Sequence, residues 1–198
     1  MIFNVARKEL KSLFATPMGW IILSILMGGF GYLYLAGINS YFDVMSGAIR
    51  PAERVGVTIF VGSKIYSTAL FLLSVTTPML TMKLISEERK SQTMPFLLSA
   101  PISLSEIVIG KFLGLVIFLS ILAVYIFMML STLNLWADID FGYLIGNSFG
   151  FILLIASFTS LGIFFSSLTS QPIIAAITTF LTLVTMVGLG SYFASDPS

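Results

Sequence analysis

Five stretches of this sequence are apolar for long enough to cross a bilayer, and that constrains what the chain can fold into more than any other feature. They run over about 18–38, 59–82, 107–133, 143–165 and 172–193, and roughly 20 helical residues reach across the hydrocarbon core. Only 10% of the residues are charged, against 57% hydrophobic. A water-soluble domain carries roughly 25% charged residues to wet its surface, so lipid must replace water over most of this chain. Backbone groups in lipid need partners within their own segment, which leaves helices as the form of the spans. The sequence therefore predicts an all-α, polytopic membrane helix bundle, a single transmembrane domain over residues 1–198.

Residues 1–16 have a different character from the spans. On a helical wheel Ile2, Phe3, Ala6, Leu10, Leu13 and Phe14 share one face, and Asn4, Arg7, Lys8 and Lys11 share the other. A basic amphipathic helix of this kind lies in the membrane interface, and Pro17 and Gly19 favour a break before the first span. No small-residue cleavage pattern follows a short apolar core, so a removable signal peptide is not expected. The net charge of +1 points to no nucleic acid or other strongly acidic partner. The chain has no cysteine and no histidine, which removes thiol chemistry, the commonest general base and the commonest transition-metal ligand.

Charge between the spans predicts topology. With the N-terminus inside, Arg7, Lys8, Lys11, Lys83, Arg89, Lys90 and Lys111 fall on the cytoplasmic side and only Arg50, Arg54 and Lys64 outside, as the positive-inside rule requires. Trp20, Tyr41, Trp136 and Tyr143 fall near span ends, where amphipathic rings anchor. Ser198 is then expected outside. In the loop after the third span, Asp138 and Asp140 read as a solvated turn rather than a cation site.

The spans carry almost no ionisable groups, with Lys64 and Lys83 placed to snorkel. Ion-driven carriers need buried charges, so any transport energy is expected to enter from outside the membrane. Ten methionines without Cys or His read as apolar filler, and no metal site is expected. Gly28, Gly29 and Gly31 offer a small face for close packing on another helix or a second protomer. Ser157, Thr159, Ser160 and Ser166 give the fourth span a weakly polar face, a candidate substrate path or a packing surface. Pro78 is expected to kink the second span.

The densest information lies in the loop over 83–106. Glu87, Glu88, Arg89 and Lys90 are followed by Thr93 as an N-cap, Pro95 in a first helical turn, and the apolar Phe96, Leu97 and Leu98, ended by Pro101. Ser103 with Glu106 three residues on forms a capping box for the third span. A short apolar helix framed by charge suits a docking knob for a soluble partner, or a helix lying in the headgroups.

On these residues the chain resembles the ABC-2-type permeases, the membrane subunits of ATP-binding-cassette transporters. Their loop pattern is about E-E-K-x-x-G-T-L-E-x-L-L-x-x-P-[IV]-S, with G-K further on. Glu87, Glu88, Arg89, Thr93, Met94, Leu97, Leu98, Pro101, Ile102, Ser103, Gly110 and Lys111 fit it. Arg7-Lys8-Glu9-Leu10 through Pro17 is similar to the family's N-terminal elbow helix, and Leu161 to Ala176 to its hairpin between the fourth and fifth spans. Among such permeases the chain looks most like those linked to gliding motility, with Asp138-Ile-Asp-Phe-Gly as the pointer. Gln92 and Pro95 depart from the pattern's glycine and second glutamate. The resemblance implies a type V exporter-like bundle of six spans, of which five are seen, so the chain is expected to be incomplete.

The resemblance implies a permease with no catalytic residues and no cofactor of its own. ATP and Mg would be held by a separate ABC ATPase subunit, and no phosphate-binding loop occurs in this chain. That subunit would dock on Glu87, Glu88, Arg89, Thr93, Met94, Phe96, Leu97 and Leu98. A second permease copy or homologue and membrane lipid would complete the assembly, in the bacterial cytoplasmic (inner) membrane with a cytoplasmic N-terminus. The alternative reading is a passive membrane scaffold or assembly factor that docks a soluble partner by the same loop.

Overall fold

A computed structural model describes residues 2–46, 56–91, 103–135, 137 and 139–195. The regular elements among them are helices: α1 Ile2–Ala15, α2 Pro17–Met45, α3 Val57–Thr81, α4 Ser86–Lys90, α5 Leu104–Ser131, α6 Phe141–Leu168 and α7 Pro172–Ser195, with a 3-10 turn at Thr132–Leu135. By length and composition α2, α3, α5, α6 and α7 can each cross a membrane. The all-α membrane bundle expected from the apolar runs is the architecture observed.

Local chemistry accounts for where these helices start and stop. Thr16 is extended (φ −89°, ψ 135°) with Pro17 in the first turn of α2, since a proline ring forces the preceding residue out of the helical region. That separates α1 from α2. At α5 the capping box closes reciprocally, with Ser103 N donating to Glu106 Oε2 at 3.0 Å and Glu106 N to Ser103 Oγ at 3.3 Å. Asp140 caps α6 by accepting from Tyr143 N at 3.0 Å, so its carboxylate serves the helix end; Asp138 lies outside the described residues. Pro78 sits inside α3, and the helix ends within one turn of it, at Thr81.

Burial along α5 has helical spacing. Leu115, Phe118, Leu119, Leu122, Ile126 and Leu130 are fully buried, recurring three or four residues apart as one stripe. Half of α5's apolar stretch is buried, against 22% for α2 and 17% for α7. The remaining apolar faces of α2 and α7 suit lipid.

The chain packs as two compact units. One comprises Thr16–Leu70 and Leu119–Leu154. Its helices are joined by tyrosine hydroxyls: Tyr34 to Thr132 at 2.6 Å, Tyr66 to Ser148 at 2.8 Å, and Tyr125 donating to the Met27 carbonyl at 3.1 Å. Phe30, Val61, Ile65 and Leu144 fill its core. Of Gly28, Gly29 and Gly31, read from the sequence as a close-packing face, the first two have no neighbour within 4 Å of a would-be Cβ among the described residues, and Gly31 has the Tyr125 hydroxyl of α5 at 3.4 Å. Closer approach in this unit occurs at Gly37, against Val61, and at Gly62, against Tyr143.

The other unit comprises Met1–Ala15, Phe71–Phe118 and Ile155–Ser198. In it α3 packs closely on α6, where a Cβ on Gly162 would overlap the side chain of Thr81. This unit also holds α1, α4 and the root of the loop between α3 and α5.

Candidate functional site

The chain leaves α3 through the turn Met82–Ile85, whose second half is buried together with the start of α4: Leu84 is 4% exposed, Ile85 5% and Ser86 0%. A buried turn must find partners for its backbone groups. Two side chains from other helices supply them. Ser166 of α6 accepts hydrogen bonds from the amides of Ile85 (3.2 Å) and Ser86 (3.1 Å) and donates to the Met82 carbonyl (3.2 Å), the full capacity of a hydroxyl. Lys111 of α5 donates to the Leu84 carbonyl and, at 2.6 Å, to Glu88 Oε1 on α4. The Lys111 side chain is 6% exposed and that of Glu88 23%. The turn and α4 are thus tied to α5 and α6 by one hydroxyl and one ammonium, and α4 lies alongside α7.

The N-terminal helix joins the same cluster. A Cβ on Gly110 would stand 2.6 Å from Val5 Cβ and 3.1 Å from the Ile2 carbonyl oxygen; one on Gly114 would stand 2.9 Å from Glu9 Cβ and 3.0 Å from the Ala6 carbonyl oxygen. Gly110-Lys-Phe-Leu-Gly114 is therefore a G-x-x-x-G face that lets α1 lie backbone to backbone on α5. Ala6, the residue at the seam, is 5% exposed. Glu9 is drawn inward by this contact. Burial raises its pKa, Lys111 opposes that, and Glu88 reinforces it. Two carboxylates and one ammonium, from α1, α4 and α5, surround the loop root.

A family model for the ABC-2 family transporter protein matches residues 3–196. The chain belongs to that family. No curated protein and no solved structure matches it. As an ABC-2 family protein it is a multi-pass membrane component of a transporter.

Within this ABC-2 chain the charged cluster of the loop divides in two. Glu87 and Arg89 are exposed, while Glu88 turns inward to Lys111. Thr93, Met94, Phe96, Leu97 and Leu98 lie outside the described residues. The small polar residues of α6 divide as well. Thr159 and Ser166 are buried, seven residues apart on one face, whereas Ser157 and Ser160 are exposed. Ser166 is committed to the loop root, and Ser160 Oγ donates to the Ser157 carbonyl of its own helix.

The roles of Glu9, Lys111, Gly114 and Ser166 are not apparent from the sequence. One signal was available: two glycines four apart in an apolar run, at 110 and 114, are the spacing of a close helix contact. Lys111 fits the family pattern, but the pattern names no partner for it. Nothing local marks Ser166, because the amides it serves are about 80 residues away in the chain.

Proposed function

We propose that this chain is the permease subunit of an ABC transporter, coupling ATP hydrolysis by a separate ATPase subunit to movement of a substrate across the membrane. The observation that supports it best is the anchoring of the loop root. A short charged helix that follows α3 is held at its base by Lys111 and Ser166. A push on the loop is therefore delivered to α5 and α6 rather than absorbed by a slack connection. Glu87 and Arg89, exposed on α4, with Thr93, Met94, Phe96, Leu97 and Leu98 beyond them, form the docking surface. Glu88 acts from behind, holding α4 to α5. ATP and Mg belong to the partner, a second permease copy completes the pore, and the chain sits in the bacterial inner membrane with its N-terminus cytoplasmic. Its likeness to motility-linked permeases suggests gliding motility as the setting.

The test is co-purification. Glu87→Lys with Phe96→Asp should abolish recovery of the coexpressed ATPase while leaving the permease folded. Undiminished recovery refutes the docking assignment. A scaffold that uses the same surface would bind the ATPase as well, but would show no rise in ATPase activity with any transported lipid, peptide or polysaccharide.

A further inference from the structure

Most buried threonines of the unit that holds the loop root satisfy themselves. Thr76 and Thr81 of α3 and Thr179 of α7 each donate to the carbonyl four residues back in their own helix, at 2.7, 2.9 and 2.7 Å. Thr77 of α3 and Thr159 of α6 do not. Both are 0% exposed, and neither hydroxyl has a hydrogen-bond partner within the protein. A carbonyl stands one turn behind each of them, the usual recipient for a helical threonine, so both hydroxyls are directed elsewhere.

The packing of α3 on α6 puts them at one level. Gly162 meets Thr81, and Ser166, one turn further along α6, meets Met82, Ile85 and Ser86, further along α3. The two helices therefore run in the same direction. One turn back from the Gly162–Thr81 contact, on the same two faces, are Thr159 and Thr77. That level also carries the proline of α3. Pro78 has no N–H, so the carbonyl of Ser74, a residue 1% exposed, lacks the donor four residues on. Two hydroxyls and one carbonyl without local partners thus gather where α3 is interrupted, and buried groups of this kind need partners.

We propose that a single water molecule is bound in the α3–α6 seam, donating to the Ser74 carbonyl and hydrogen-bonded to the Thr77 and Thr159 hydroxyls. Three polar groups are the usual complement of a buried water, and ordered water is a recognised way to satisfy a proline break in a membrane helix. Complete burial of both threonines excludes anything larger. The water makes Pro78 a hydrated joint, one turn ahead of the loop root that Ser166 and Lys111 hold. The site stands whether or not the loop docks an ATPase.

The test is magnetisation transfer from water to threonine methyls, by solid-state NMR on the full chain in phosphatidylcholine bilayers. Thr77→Ser and Thr159→Ser, which keep the hydroxyl and lose the methyl, assign the two signals. Transfer to Thr77 and Thr159 should be several-fold faster than to Thr179, which is as deeply buried but satisfied by its own helix. Pro78→Ala, which returns an N–H to the Ser74 carbonyl, should slow it. Transfer no faster than at Thr179, or unchanged in Pro78→Ala, overturns the proposal. Thermal unfolding gives an independent reading. Thr77→Val and Thr159→Val should each lower Tm by about 2–4 °C, one hydrogen bond's worth in a chain of this size. The double variant should lose less than the sum, because the water leaves with its partners. If the seam is dry, each valine removes an unpaired hydroxyl and raises Tm, and the water site is refuted.

Discussion

Replacing Lys111 by methionine tests the loop root most directly, because the change keeps the stem's volume and removes only the charge and its donors. At 2.6 Å the Lys111–Glu88 attraction amounts to about 6 kcal/mol for an effective dielectric of 20. Desolvating a nearly buried ammonium cancels much of that, so the net worth of the pair is small. The cost of the single substitution is larger than the pair's worth, because it takes the ammonium at 2.6 Å from a carboxylate that is 23% exposed and removes the same donor from the Leu84 carbonyl. Removing one partner of a buried pair costs about 3–5 kcal/mol. The partial exposure of Glu88 places this case at the low end, about 3 kcal/mol.

For a chain of this size that loss lowers Tm by about 6–12 °C, readable in detergent from the tryptophan emission of Trp20 and Trp136. Two further readings identify the mechanism. Lys111→Met/Glu88→Gln should recover more than half of the loss, since the carboxylate charge that Lys111 neutralised is gone as well. The deficit of Lys111→Met should also narrow from pH 7 to pH 5, because Lys111 is what opposes the upward pull of burial on Glu9. A loss that is equal at both pH values and not recovered in the double variant would show that packing, not charge, holds the turn. No loss at all would mean the cluster is wetted.

Glu9→Gln should stabilise the protein at pH 7. Burial raises the Glu9 pKa above 4.5, so its stability contribution is fully present below that value and fades as pH rises through the raised one. The variant should lack this decline in a Tm-against-pH series. Gly110→Ala forces α1 off α5, since the new methyl meets Val5 Cβ at 2.6 Å and a backbone oxygen at 3.1 Å. A loss of about 1–3 kcal/mol is expected, whereas Gly188→Ala, with open space around it, should be neutral or slightly stabilising. Ser166→Ala strips partners from the buried amides of Ile85 and Ser86 and should cost about 1–3 kcal/mol, with faster amide exchange confined to the turn after α3.

Several features of this protein were legible residue by residue. The lengths of the apolar runs announce the spans because a bilayer has a thickness and supplies no hydrogen bonds. Ser103 and Glu106 announce the start of α5, and Thr16-Pro17 the break before α2, because caps and prolines act within a turn of themselves. These are local rules, and the helices obey them.

Pairings between helices are not local, and there the sequence was silent or misleading. Gly28, Gly29 and Gly31 looked like the close-packing glycines, yet among the described residues only Gly31 has a near neighbour, the Tyr125 hydroxyl at 3.4 Å, while Gly110, Gly114 and Gly162 meet other helices more closely. A glycine permits approach; only the path of another helix decides whether one arrives. Glu87 and Glu88 are indistinguishable as letters, but one faces outward and the other meets Lys111, 23 residues on. The sequence by itself determined a helical membrane protein with a charged loop between its second and third spans, because lipid and caps select for composition over short windows. Only the tertiary structure decided that Ser166 and Lys111 hold that loop at its root, and that Glu9 packs on α5. Those choices depend on which backbones can come within a few ångströms of one another, and no single helix contains that information.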